Sequence, residues 1–207
     1  EILLLNDLES GSTIFVTDNG IKADGTIRTG EGTVSYTASS NVPAGTVLFL
    51  SDFSGSNPAF SGSGDSATIY ELDSDGNPLY LFAFQADGSD WDADATSAGT
   101  CALPTGLTDG QTALALGESD NYEYQGPTSG TSSGLLTAIA DAANWYTSNS
   151  RFELSVETYT ITSEVACEDA EACNTGELAG CTYPDTGMDC DGNYIVTASS
   201  FEYNPAS

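Results

Sequence analysis

Short apolar runs separated by turn residues fill most of the chain. Alternation with a period of two, and enrichment in β-branched and aromatic residues, are typical of strands. The runs that predict strands are Ile2–Leu5, Thr13–Thr17, Thr33–Thr37, Thr46–Leu50, Ala67–Leu72, Leu79–Phe84, Phe152–Val156, Thr158–Thr162 and Tyr194–Tyr203. The polar turn Asp73–Pro78 joins two of these runs and predicts a β-hairpin.

One segment has helical spacing instead. Ser133 is placed to cap a helix, and apolar residues then recur at helical intervals over about three turns. These residues are Leu135, Leu136, Ile139, Ala142 and Trp145. The predicted fold is therefore all-β, a β-sandwich of the Ig-like or jelly-roll-like kind with one short surface helix and a disulfide-pinned C-terminal segment. The predicted parts are a sandwich over 1–164, a cysteine-rich segment over 165–193, and a C-terminal strand over 194–207 that returns to the sandwich.

Charge narrows the range of functions. The chain has 31 carboxylates, three cationic side chains (Lys22, Arg28 and Arg151), no histidine and a net charge of -28. Without imidazole there is no Ser-His or Cys-His nucleophile pair, and without a basic patch nucleic acid is excluded as a partner. No apolar run is long enough to cross a membrane. The composition favours solubility at high salt, and we expect a non-enzymatic protein.

Cysteine usage indicates an oxidising compartment. Cys167, Cys173, Cys181 and Cys190 cluster near the C-terminus and predict two disulfides, with three possible pairings. A zinc site is disfavoured because CxxC pairs are absent. Cys101 stands alone; it is buried and inert, free, or joined to another subunit, and burial is the favoured interpretation. The start at Glu1-Ile2-Leu3 is typical of a processed N-terminus, so we expect secretion.

Calcium is the one cofactor that the acidic residues suggest. The denser group surrounds Trp91, where close carboxylates repel one another unless a cation compensates. The candidate ligands are Asp87, Asp90, Asp92 and Asp94 in that group, Asp73, Asp75 and Asn77 in the hairpin turn, and Asp189, Asp191 and Asn193 in a weaker third set. For the hairpin turn a plain polar turn is favoured, because Pro78 and Phe84 occupy positions where an EF-hand needs glycine and glutamate.

Aromatic residues offer a second kind of site. Trp91, Tyr122 and Tyr124 are candidates for stacking against sugar rings, whereas Trp145 ends the apolar face of the helix and belongs in the core. Paired carboxylates can hydrolyse glycosides without histidine, but 31 acids guarantee some suitable pair by chance. Surface polysaccharide is therefore a possible partner, and no catalytic residue is predicted.

Several phrases occur in a set order: Phe15–Gly20, Arg28–Thr33, Ser63–Asp65, Trp91–Thr96, Ala102–Leu107 and Ala143–Trp145. In these phrases the stretch from about Leu3 to Trp145 resembles a β-rich module of secreted, multidomain bacterial surface proteins. The segments Cys167–Asn174, Gly180–Pro184 and Asp189–Asn193 resemble the short cysteine-rich repeats of exported marine Bacteroidetes proteins. Both resemblances imply a location outside a bacterial cell.

The first resemblance also implies an open sheet edge. That module has an extra strand ahead of the segment that begins here at Ile2, and a missing strand leaves a template for pairing with another chain. The alternative is that Tyr194–Tyr203 fills the gap within the same subunit. We expect an extracellular structural or adhesive protein that forms filaments with copies of itself, pairing through a C-terminal strand or through Ile2, Leu3, Leu4 and Leu5. The alternative function is a monomeric carbohydrate-binding or adhesion module that uses Trp91, Tyr122 and Tyr124.

Overall fold

The chain folds mainly into β-strands. The computed structural model describes residues 1–153, 157–163, 169–176, 181–184 and 188–191. It divides into two compact units, Glu1–Thr162 and Ser163–Ser207. The strands are β1 (Ile2–Leu3), β2 (Thr13–Thr17), β3 (Thr33–Thr37), β4 (Val47–Leu48), β5 (Ser54–Ser56), β6 (Ser66–Leu72), β7 (Pro78–Gln85), β8 (Ala113–Ala115), β9 (Asn121–Tyr124), β10 (Ser129–Gly130), β11 (Trp145–Ser148) and β12 (Thr160–Ile161). With one α-helix, α1 (Ser132–Ile139), in the described part, the predicted all-β class is confirmed.

The first layer of the larger unit is a six-stranded sheet in the order β5-β3-β2-β6-β7-β8, antiparallel except for the parallel pair β7–β8. Alternation along β2 points Ile14 and Val16 to one face of this sheet. The strand register aligns Val16 with Ile69, and Ile69 with Phe82. These side chains therefore share a face, which we call the inner face.

Two separate two-stranded sheets pack on the inner face. The pair β1–β4 contributes Leu4 and Leu48 to a core cluster that includes Ile14 and Val16. The pair β9–β11 reaches the same face through Phe84, which is two positions along β7 from Phe82 and whose ring contacts Tyr122 and Trp145. The second layer of the sandwich is thus built in two halves.

The opposite face of the six-stranded sheet is covered by loops. Phe15 stacks on Tyr70 there, with ring centroids 5.1 Å apart. The main chain of Ile21 donates to the Cys101 sulfur at 3.3 Å, and Ala102 donates back to the Ile21 carbonyl. These bonds tie the loop after β2 to the loop before β8.

The helix differs from its prediction at both ends. Thr131, rather than Ser133, is the N-cap, because its side chain accepts from the Gly134 N–H at 3.1 Å. The helix ends at Ile139, and Ala142 lies in a separate 3₁₀ turn (Ala142–Asn144) that the Asp141 carboxylate caps. Trp145 begins β11 instead of ending the helix.

Some predicted strands are shorter or absent. The run Thr46–Leu50 yields only β4, because the Asp52 carboxylate accepts from the Phe49 N–H at 2.8 Å and closes a 3₁₀ turn over Leu50–Asp52. Residues 152–153 form no strand, and the rest of the predicted strand Phe152–Val156 lies outside the described residues, as do Asn193 and the predicted strand Tyr194–Tyr203. The hairpin around Asp73–Pro78 is confirmed by the antiparallel pairing of β6 and β7.

The smaller unit contains the cysteine-rich segment. Cys173 and Cys190 form a disulfide with their Cα atoms 5.1 Å apart, and Cys181 is also disulfide-bonded. Cys167 lies outside the described residues. A disulfide-pinned C-terminal segment is therefore confirmed, and it is compatible with an extracellular, oxidising environment.

Candidate functional site

A cleft of about 690 Å³ opens on the inner face of the larger unit, and residues of both halves of the second layer line it. Its floor is the six-stranded sheet, including Val16, Ile69, Phe82 and Phe84. Three groups stand out among the other lining residues: Ile2–Leu5 on the β1 side, Leu136 and Ile139 on α1, and Tyr122, Glu123, Tyr124 and Trp145 on the β9–β11 side. A continuous sheet would close the second layer, but among the described residues its two halves are separate and the cleft opens between them.

One main-chain edge of the β1 segment, at this cleft, has a single partner among the described residues. Leu4 donates to the Thr46 carbonyl at 2.9 Å and accepts from the Gly45 N–H at 2.8 Å, so its polar groups face β4. In an antiparallel ladder the neighbouring residues turn theirs the other way. Across that second edge the described residues provide one partner to Leu3 and Leu5, the Ser132 hydroxyl, which donates to the Leu5 carbonyl at 2.6 Å. Because Ser132 belongs to α1, which lines the cleft, this edge faces the cleft.

The lining of the cleft is mainly apolar and includes five acidic side chains. Several lining side chains are exposed although they are large and apolar: Leu50 is 38% exposed, Phe60 54% and Leu81 43%. Monomeric soluble proteins rarely expose large contiguous apolar patches, and such patches often mark sites of interaction. The acidic lining residues are Glu1, Asp7, Glu71, Glu123 and Glu157. An occupant must therefore bring apolar surface and little negative charge.

Three aromatic rings stiffen the β9–β11 side of the cleft. Phe84 meets Tyr122 with ring centroids 5.1 Å apart, and Tyr124 meets Trp145 at 5.5 Å. The Tyr122 hydroxyl donates to the Gly117 carbonyl, the Tyr124 hydroxyl to the Pro127 carbonyl, and the Trp145 indole N–H to the Ile139 carbonyl. Burial raises the pKa of both tyrosines. The polar groups of these three side chains donate to main-chain carbonyls, so the rings present mainly apolar surface to the cleft.

Trp91, the third residue of the predicted sugar platform, is not among the residues that line the cleft. It is half-buried, and its indole N–H donates to the Asp109 carboxylate at 2.8 Å. The structure therefore brings Tyr122 and Tyr124 together at the cleft without Trp91.

The candidate calcium ligands mostly bond to nearby main chain. The Asp73 carboxylate accepts from the N–H groups of Asp75 and Asn77, and these bonds, chiefly those from Asn77, lower its pKa. Asp92 accepts from the Gln85 amide and the Cys101 N–H, and Asp94 accepts from the Ala23 N–H. Asp87 and Asp90 are exposed, and Asp189 accepts from the Asp191 N–H. In the described part of the chain no three such side chains are grouped as metal ligands, and calcium binding stays a prediction.

Cys101 and Arg28 have structural positions. Cys101 is a free thiol with no exposed surface, and burial raises its pKa.

Arg28 lies 3.1 Å from Glu31, in a part of the molecule where Asp18 and Asp65 are buried. Burial first, and then the charges of Asp18 and Asp65, raises the pKa of Glu31. Arg28 thus offsets a local cluster of carboxylates.

Sequence reasoning named two parts of this site, Ile2–Leu5 and the pair Tyr122 and Tyr124, without placing them at one cleft. It missed the floor and α1 side, for which the only signal was the apolar character of Phe82, Phe84, Leu136 and Ile139.

Comparisons of the chain with family models, with curated proteins and with solved structures gave no match. Within the described residues, no helix combines the length and apolar character that crossing a bilayer requires.

Proposed function

We propose that this chain is an extracellular structural or adhesive subunit that associates with copies of itself by accepting a β-strand into the cleft. The observation that carries the proposal is the edge of Leu3 and Leu5, to which the described residues supply only the Ser132 hydroxyl as a partner, beside an apolar cleft of about 690 Å³. Strand addition to an exposed edge is a common mode of recognition, in which the main chain supplies affinity and alternate side chains fill pockets.

A strand in this position satisfies both features of the cleft at once. Its main chain pairs along the edge of Leu3 and Leu5, where it takes the place of the Ser132 hydroxyl at the Leu5 carbonyl, and every second side chain points to the floor formed by Val16, Ile69 and Phe82. It also covers apolar side chains, which contributes about 25 cal/mol for each Å² removed from water. A contact in which one copy donates and the next accepts is heterologous, and a heterologous contact that does not close on itself produces a filament.

The acidity of the chain bears on where such an assembly forms. With a net charge of -28, copies repel one another at low salt, and dissolved cations screen that repulsion. A salty extracellular medium supplies the cations, and the disulfide Cys173–Cys190 suits the same environment. Calcium, if it binds the acidic loops, adds to this screening.

Two exposed leucines of the six-stranded sheet provide a matched test. Leu81 of β7 lines the cleft and is 43% exposed, whereas Leu72 of β6 is 47% exposed and does not line it. We expect Leu81→Glu to reduce the assembled fraction more than about tenfold, because a carboxylate is costly to bury against apolar surface. Leu72→Glu adds the same charge at an exposed leucine outside the cleft and leaves assembly unchanged.

The measurement is sedimentation velocity with negative-stain electron microscopy at seawater-like salt, and urea unfolding checks that both variants fold. Wild-type protein that stays a single compact particle at all concentrations contradicts self-association. Equal assembly of the two variants contradicts the role of the cleft.

The tyrosine pair supports a second candidate, a monomeric carbohydrate-binding or adhesion module. Tyr122 and Tyr124 line the cleft beside Trp145, whose fluorescence reports on an occupant. This candidate predicts that surface polysaccharide changes the tryptophan emission of a monomeric protein, and that Tyr124→Ala abolishes the change. Wild-type emission that stays constant on adding polysaccharide rejects it.

A further inference from the structure

We infer that a buried water molecule binds between the six-stranded sheet and the loop that precedes β8, held by the side chains of Ser66, Thr68 and Gln85. The site lies on the face of the sheet opposite the cleft, within the larger unit. It is independent of the proposed function, because no step of the argument uses the cleft or a second copy.

The strand register brings the three side chains to one place. Ser66 and Thr68 are two positions apart on β6, so they project from the same face of the sheet. Ala67 and Ile69 alternate with them and line the cleft, so Ser66 and Thr68 point to the opposite face. Gln85 of β7 is the register partner of Ser66, and residues paired across two strands project to the same side.

Each of these side chains has a buried polar atom that no group in the described part of the chain pairs with. The atoms are Ser66 Oγ, Thr68 Oγ1 and Gln85 Oε1, and the three residues are at most 1% exposed. Most buried polar atoms of proteins are paired with another protein group or with ordered water. Three such atoms on one face of two neighbouring strands therefore indicate a shared ligand of the size of water.

The orientation of the Gln85 amide is set by its other end. Its Nε2 donates to Asp92 Oδ2 at 3.0 Å, and the same oxygen accepts from the Cys101 N–H at 2.9 Å. A carboxylate accepts hydrogen bonds, so Nε2 rather than Oε1 faces Asp92. Gln85 Oε1 is thereby left as an acceptor that needs a donor from elsewhere.

The Cys101 thiol borders the site without supplying that donor. Its S–H donates to the Ala102 carbonyl at 3.3 Å, and its sulfur accepts from the Ile21 N–H at 3.3 Å. Burial raises the pKa of Cys101, and the Ile21 N–H and then the hydroxyls of Ser66 and Thr68 act against that rise. The sulfur therefore lies beside both hydroxyls, while its own hydrogen bonds go to the main chain.

Water suits these groups better than a cation does. A water molecule can donate to Gln85 Oε1 and accept from both hydroxyls, which gives about the three hydrogen bonds that a buried water typically makes. A calcium ion takes about six to eight oxygen ligands, and carboxylates are prominent among them. The three atoms here belong to uncharged groups.

A high-resolution crystal structure tests the inference directly. We expect one density peak within about 3 Å of Gln85 Oε1 and of at least one of the two hydroxyls. Absence of the peak, or a Ser66 hydroxyl that bonds directly to Gln85, overturns the inference. A peak with about six oxygen ligands at about 2.4 Å identifies a cation and overturns it as well.

Thr68→Val is a second test, made in solution by urea unfolding. Valine keeps the branched shape of threonine and lacks the hydroxyl. If Thr68 Oγ1 has no partner, the change removes an unsatisfied polar atom and raises the urea midpoint, whereas with water bound it removes a hydrogen bond and lowers the midpoint. We expect a lower midpoint, and a higher one contradicts the bound water.

Thr17→Val is the matched control. Thr17 of β2 is the register partner of Thr68 and is equally buried, but its hydroxyl donates to the Gly32 carbonyl at 2.7 Å. We expect both variants to lower the midpoint, because each removes a hydroxyl that has a partner. A midpoint that falls for Thr17→Val and does not fall for Thr68→Val overturns the inference.

Discussion

Phe84 of β7 and Tyr122 of β9 meet edge to face, with ring centroids 5.1 Å apart and ring planes at 80°. This contact joins the six-stranded sheet to one half of the second layer. Leu4, buried with Val16, joins the other half. The cleft exists because these two anchor points hold β1–β4 and β9–β11 against the same sheet, while the described residues leave the space that both pairs line unfilled.

Removing the Phe84 ring loosens the β9–β11 side. We expect Phe84→Ala to lower the free energy of unfolding by about 3 kcal/mol, since it loses ring contacts to both Tyr122 and Trp145 and leaves a cavity. Urea denaturation followed by tryptophan fluorescence measures the change, and Trp145 reports on the affected side.

Phe60→Ala is the matched control for that prediction. Phe60 also lines the cleft, but it is 54% exposed, so its truncation leaves stability within about 0.5 kcal/mol. A loss at Phe84 no larger than the loss at Phe60 contradicts the anchoring role of the Phe84 ring.

Much of the fold was predictable because the strand signal is local. Thr13–Thr17 and Thr33–Thr37 have the predicted bounds, and the hairpin turn Asp73–Pro78 joins β6 to β7. The helix was predicted too long because Ala142 and Trp145 continue the apolar period beyond Ile139. Capping bonds from Asp141 end that period, and a periodicity count does not include them.

The cleft was less accessible to sequence reasoning because it depends on pairing between distant residues. Tyr124 pairs with Trp145 across β9–β11, and no local pattern specifies that register. The pairing of β6 with β7 shifts register between Ile69 and Tyr70, so Leu79 lies opposite Glu71 and Phe82 lies opposite Ile69, and both Glu71 and Ile69 line the cleft. Alternation alone assigns Leu79 and Phe82 to opposite faces.

The pH dependence of stability distinguishes two carboxylates. Burial raises the pKa of Asp65 above its ordinary value of 3.8, and the charges of Asp18 and Asp87 act in the same direction. The folded state then binds the proton more tightly than the unfolded state, so stability falls as pH rises from 3.8 through the folded pKa. Asp65→Asn removes this decrease, and we expect the variant's stability relative to wild type to increase with pH.

Asp73 makes the stability change with pH in the opposite direction. Hydrogen bonds from Asn77 lower its pKa below 3.8, so its contribution is present above that pH and is lost as pH falls through the folded pKa. The stability of Asp73→Asn relative to wild type therefore decreases as pH rises. Urea unfolding at several values between about pH 3 and pH 6 measures both trends, and trends of the same sign contradict the assignment.

Cys101 is expected to be unreactive in the folded protein. It has no exposed surface, which blocks access by reagents, and burial raises its pKa, which lowers the fraction of reactive thiolate. A thiol-specific reagent labels it only after denaturation. Ser74→Cys, in the exposed hairpin turn, is the reactive control. Native labelling of Cys101 at the rate of that control, or a dimer that disappears on reduction, contradicts a free buried thiol.

Salt controls assembly through the net charge of -28. Raising ionic strength from about 0.01 M to about 1 M shortens the Debye length from about 30 Å to about 3 Å, which removes repulsion between exposed carboxylates. We therefore expect the assembled fraction, measured by sedimentation, to rise over this range in sodium chloride. Assembly that weakens with added salt contradicts this account.

Calcium chloride at matched ionic strength separates screening from binding. If calcium binds the loop around Trp91, it promotes assembly beyond the sodium effect, a chelator reverses the excess, and Asp90→Asn abolishes it. Asp120→Asn, an exposed acid outside that loop, is the control that retains the excess. A bound calcium ion requires several oxygen ligands held together, whereas diffuse screening depends on ionic strength alone. If calcium and sodium have equal effects, the acidic residues therefore act only through general screening.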